Sequence, residues 1–158
     1  RQLAARVKAA GLSLHDKLDA LYWQHGFHAE RLIATKMEGS EGMTRMKELM
    51  TRLREQPPRE VAGIPVAGVR DYLHGQTVAP DGAMTALKGP TGDLVIIDLV
   101  EEGNYVAVRP SGTEPKVKFY MFTYVAPELL ADLESTKHQL GERLDNMQSA
   151  LQEIAHVE

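Results

Sequence analysis

The sequence predicts an α+β domain in which a mainly antiparallel sheet is backed by helices. Three observations carry this expectation. Leu94 to Val100 and Tyr105 to Val108 are strand-like runs joined by Glu101-Glu102-Gly103-Asn104, the composition of a hairpin turn. Lys116 to Val125 alternates, placing Val117, Phe119 and Met121 on one face and Lys116, Lys118 and Tyr120 on the other. The last stretch carries Leu130, Leu133, Leu140, Leu144, Met147, Leu151 and Ile154 at helical spacing, interrupted by Lys137.

The remaining elements follow in chain order. After a short opening stretch to Ala10, Gly11 breaks the pattern and Ser13 reads as a helix N-cap with Asp16 at the capping-box position. Leu14, Leu18, Leu21 and Tyr22 form the stripe of that helix, and Gly26 ends it. Arg31 to Met37 is short, partly β-branched and bounded by Gly39, so it reads as a strand. Ser40 is the expected cap of a second helix, with Met43, Met46, Met50 and Leu53 on one face and Pro57-Pro58 as its stop. Val61 to Leu73 has mixed strand character. His74 to Asp93, with four glycines and two prolines, reads as a loop. Pro127 is the expected first residue of the final helix. Its leucine stripe suits packing on the sheet; a coiled coil is the alternative.

Composition bounds the function. The chain has 158 residues, enough for one domain and part of another. A net charge of −4 argues against a nucleic-acid partner. No apolar run has the length of a membrane span, and no signal-peptide pattern opens the chain. The absence of cysteine rules out disulfides and thiolate metal sites and suits a cytoplasmic protein.

One segment offers chemistry. Between the second hairpin strand and the next lies Arg109-Pro110-Ser111-Gly112-Thr113-Glu114-Pro115. Arg109 can bind two phosphate oxygens with its planar fork. Ser111 and Thr113 supply hydroxyl donors, and Gly112 lets backbone N–H groups turn toward an anion. Pro110 and Pro115 stiffen both ends, and Lys118 adds a second cation if its face points to the loop. The same residue types build ordinary surface turns, so composition alone leaves both readings open.

The run from Val106 to Tyr120 resembles the C-terminal signature of the α-D-phosphohexomutase superfamily, the phosphoglucomutases and phosphomannomutases. Arg109-Pro110-Ser111-Gly112-Thr113-Glu114-Pro115-Lys116 matches it without a gap, and Lys118-Phe119-Tyr120 continues it. Leu14 to Tyr22, Gly39 to Met50, Pro57-Pro58 and Asp71-Tyr72-Leu73 are similar to family segments as well. The resemblance implies a TATA-binding-protein-like last domain over residues 30–158, preceded by the helical tail of an α/β domain over residues 1–29. It implies an enzyme that interconverts hexose 1-phosphate and hexose 6-phosphate through a phosphoserine and a bisphosphorylated sugar, with Mg2+ near that serine. It also assigns Arg109, Ser111, Gly112, Thr113 and Lys118 to the substrate's non-transferring phosphate.

The family's serine loop, magnesium loop and sugar-recognition loop do not occur in this chain, which begins Arg1-Gln2-Leu3 without an initiator methionine. The expectation is therefore a C-terminal piece with no catalytic or metal residue of its own, partnered by upstream domains and a phosphosugar, and inactive by itself. Two other readings stand beside it: a freestanding module that binds a phosphorylated ligand or a protein, and an oligomerising domain built on the leucine-rich helix.

The remaining candidates are weaker. His25 and His28 form a histidine pair across Gly26 with no third ligand, which favours structural roles over zinc. Glu101 and Glu102 sit in a turn, where carboxylates are normally solvated, and Glu114 can close its own loop. The seven methionines read as core filler.

Overall fold

The computed structural model describes residues 1–156. Its centre is an antiparallel sheet whose strands run in the order β1-β8-β7-β6-β3-β4-β5, with β2 paired on β3. The strands are β1 (Phe27–Lys36), β2 (Glu60–Val61), β3 (Ile64–Asp71), β4 (Gln76–Val78), β5 (Met84–Ala86), β6 (Val95–Leu99), β7 (Tyr105–Pro110) and β8 (Lys116–Val125). The helices are α1 (Gln2–Ala9), α2 (Leu14–His25), α3 (Gly42–Glu55) and α4 (Leu133–His156). The α+β class expected from the sequence is what the chain adopts.

One face of the sheet holds the core. Val106, Val108, Val117, Phe119 and Met121 are buried there with Met46, Leu49, Met50 and Leu53 of α3 and Leu144, Met147 and Leu151 of α4. The alternation of β8 is what selects this face, since every second side chain points to it. The leucine stripe of α4 is thus consumed within the chain, against β1 and β8, and the coiled-coil alternative falls away. A smaller cluster of Phe27, Leu130, Leu133 and Leu140 receives Tyr22 of α2, whose ring meets Phe27 edge-on at 4.7 Å. Lys137, the break in the stripe, reaches across to Asp19 of α2 at 3.1 Å and to Glu134 at 2.7 Å.

Several boundaries differ from expectation. The first strand starts at Phe27, because Phe27 and Ala29 already turn inward; Ala29, where the helical tail was expected to end, is its third residue. Ser40 does not cap α3: Glu41 holds that place without a side-chain bond, and close packing at Gly42 sets the start instead. Pro127 opens only a 3-10 turn (Pro127–Leu129). Leu130 drops into the smaller cluster, and Asp132 caps the helix proper, accepting from the Ser135 N–H at 2.6 Å. The stretch from His74 to Asp93 contains the β4–β5 ribbon, an exposed edge with no buried alternation to betray it. Ala62 and Gly63, both left-handed, turn β2 into β3. The Ser13–Asp16 capping box of α2 forms as expected. Of the methionines, Met37, Met46, Met50, Met121 and Met147 are core, whereas Met43 and Met84 are exposed.

Candidate functional site

The face of the sheet opposite the helices is open near one end of β7 and β8. Arg109 lies directly across from Lys118, and Lys118 is flanked on its other side by Ala34 of β1. Residues opposite each other in antiparallel strands share a face, with Cα atoms about 4.5–5.5 Å apart. Their neighbours Val108 and Phe119 are fully buried, which fixes Arg109 and Lys118 on the open side. The small Ala34 beside them leaves that side uncovered. Two residues along β8, Lys116 faces Lys36 of β1 in the same way. Four cations from three adjacent strands therefore share one corner of the sheet.

Like charges set opposite one another are destabilising, and here the core pattern imposes the arrangement. Arg109 is exposed, and its side chain has no hydrogen bond or ion pair among the described residues; nor has that of Lys118. Among the described residues the carboxylate ion-paired within the corner is Glu114, with Lys116. The hydrogen bond and charge of Lys116, with Lys36 and Lys118 further off, hold its carboxyl below the usual carboxylate range. Arg109 is neither turned into the core nor tied to an acid.

The loop between the strands is held at its base. The Ser111 N–H donates to the Lys116 carbonyl at 2.9 Å, and the Lys116 N–H to the Glu114 carbonyl at 2.8 Å. The Met37 N–H donates to the Pro115 carbonyl at 2.7 Å, joining the loop to the end of β1. Behind it sits Gly42, the first residue of α3. A Cβ there would lie 2.1 Å from the Met37 carbonyl oxygen and 3.0 Å from the Pro115 side chain. Only glycine allows this approach, so Gly42 is a positioning residue that the sequence reading did not single out. Its signal was a second glycine just past Ser40, which was read there as the helix cap. Lys36 was missed too, because its place beside Lys116 depends on strand register.

Gly112 is exposed, and its φ lies outside the left-handed region, so it forms no left-handed nest in this conformation. A Cβ there would meet nothing within 4 Å. What Gly112 contributes is bare backbone at the rim, next to the exposed Thr113 and the half-buried Ser111. The arrangement as a whole can receive a small anion on two cations with hydroxyl and amide donors beside them.

The other sequence candidates lie apart from this corner. The His28 ring stacks on Tyr124 at 4.4 Å, and among the described residues no group of three His, Asp or Glu side chains is placed to hold a metal. Glu101 sits at an exposed turn and bonds Arg143 of α4. A surface groove of about 1100 Å3 runs along α3 to His156; it takes in Lys36 of the corner but not the loop. No described helix is long and apolar enough to cross a membrane.

The chain is 36% identical over 118 residues to phosphoglucomutases of Staphylococcus aureus, among them those of strains N315, Mu50 and USA300. The match fits a C-terminal piece of a phosphohexomutase. The matched segment is 75% of this chain but 21% of each of those relatives, so the chain spans about a fifth of their length. No protein-family model matches it. Within the superfamily signature, the strand pair places Arg109 and Lys118 side by side, while Ser111, Gly112 and Thr113 lie at the rim above them.

Proposed function

We propose that this chain is the phosphate-gripping last domain of a phosphoglucomutase- or phosphomannomutase-type enzyme, residues 1–29 being the tail of the domain before it. The observation that carries the reading is the Arg109–Lys118 pair: two cations aligned on the open sheet face, neither of them ion-paired among the described residues. Arg109 takes two oxygens of the substrate's non-transferring phosphate and Lys118 a third. The hydroxyls of Ser111 and Thr113 and the backbone at Gly112 donate from the rim. The phosphate end is thereby clamped while the sugar's other end reacts, which lowers the entropic barrier to transfer.

In the full reaction of this proposal, a phosphoserine and Mg2+ belong to upstream domains, and a sugar bisphosphate is the intermediate. Among the described residues no group of carboxylates and histidines is placed to hold a metal. Its own residues bind and orient; they make and break no bond. The test is Arg109→Ala in the enzyme that carries this domain. Removing a bidentate contact to a charged partner should lower kcat/KM for the hexose phosphate by about 2–4 kcal/mol of transition-state binding. An unchanged kcat/KM would remove Arg109, and with it the assignment.

A further inference from the structure

We propose that Glu114 sets the specificity of this corner: its carboxylate fills the second of two anion positions, so the loop accepts one phosphate monoester and rejects a diphosphate. The inference rests on the phosphate-site reading above and adds a selectivity filter to it.

The four cations form two facing pairs. Arg109 faces Lys118, and Lys36 faces Lys116; Lys116 and Lys118 are two residues apart on β8, about 6.6–6.8 Å along the strand. Each pair can take one anionic group. Among the described residues no acid is ion-paired with the first pair, whereas Glu114 is ion-paired with Lys116 of the second and lies near enough to Lys118 to feel its charge. The Glu114 backbone is pinned, because its carbonyl accepts from the Lys116 N–H and the next carbonyl, of Pro115, from the Met37 N–H; its carboxylate is held at this place by Lys116. An anion that extended from the first pair to the second would meet this carboxylate. The Lys116–Glu114 pair is largely solvated, so its effect is expected in selectivity and not in stability. The acid-side displacement of Glu114 by Lys116, Lys36 and Lys118 agrees with its place among all three.

The experiment titrates inorganic phosphate and pyrophosphate into the protein at fixed ionic strength without divalent metal, and reads the ratio of the two affinities. Glu114→Gln should tighten both, and should shift the ratio toward pyrophosphate by about tenfold, the equivalent of 1.4 kcal/mol. Adding Lys36→Gln to that variant should return the ratio toward the wild-type value. Glu102→Gln, an exposed acid at a different turn, should leave it alone. An unchanged ratio in Glu114→Gln, or an equal loss of both ligands, overturns the inference. Arg109→Ala separates the two claims. If it leaves phosphate binding intact, the phosphate site itself is wrong. If it abolishes binding while Glu114→Gln leaves the ratio fixed, only the filter is wrong.

Discussion

Two arginines of this chain occupy opposite electrostatic situations. Arg54, at the end of α3, has its side chain 9% exposed and bonds Asp71 at 3.2 Å, and it also bonds Asp93. Asp71, 3% exposed at the end of β3, accepts from the Leu73 N–H at 3.0 Å and pairs with His74. Every charge there is answered within the chain, and the cluster fastens α3 to the strand end and to the approach of β6. Arg109 is exposed, faces another cation and has no acid. An internally satisfied charge cluster holds a fold together. An unsatisfied one, imposed by strand register, is a place for something from outside.

The sharpest way to break that contrast is Asp71→Ala. It takes from the buried Arg54 the more buried of its two acids and strips the Leu73 amide of its acceptor, and should cost about 3 kcal/mol in denaturant unfolding. Burial pushes the Asp71 carboxyl up, but bonds from His74, the Leu73 amide and Arg54 outweigh it and leave the folded value lowered. A carboxyl lowered in the folded state stabilises above its ordinary value and loses that contribution as pH falls through the lower, folded one. The wild type should therefore lose stability below about pH 4, and Asp71→Ala should flatten that limb.

Arg109→Ala should show the reverse profile. The loss of about 2–4 kcal/mol should appear in phosphate-ligand binding. The unfolding free energy should move by no more than about 0.5 kcal/mol. A stability loss like that of Asp71→Ala would make Arg109 part of the scaffold and end the comparison.

Gly42→Ala tests whether the loop is held from behind. Its Cβ would collide with the Met37 carbonyl, at a cost of about 1–3 kcal/mol in stability, and phosphate binding should weaken with it. Stability lost with binding unchanged would separate the α3 start from the loop. The smallest effect should come from Ser13→Ala, which removes the α2 cap and costs about 1 kcal/mol. It should read as faster amide exchange in α2, with the phosphate corner unaffected.

Much of the site was legible before any coordinates. Arg109, Ser111 and Thr113 stand out because cationic and hydroxyl groups flank a glycine between two stiffening prolines. Lys118 followed from the alternation of β8. The rest depended on neighbours distant in sequence. Lys36 enters the corner only through its register with Lys116, and Gly42 only through the approach of α3 to Pro115. Gly112 keeps its backbone outside the left-handed region, a detail of the loop that composition does not dictate. The β4–β5 ribbon was invisible because an exposed edge carries no hydrophobic period.

Local chemistry and periodicity determined the α+β class, the Ser13–Asp16 cap, the buried face of β8 and the cationic, hydroxyl-bearing make-up of the loop before it. Each depends on residues within a few positions of one another, where spacing alone dictates which side chains share a face. The tertiary structure decided which helices cover that face, where α3 and α4 begin, and that four cations converge while one acid stands among them. Those outcomes follow from long-range register and close packing, which no window along the chain contains.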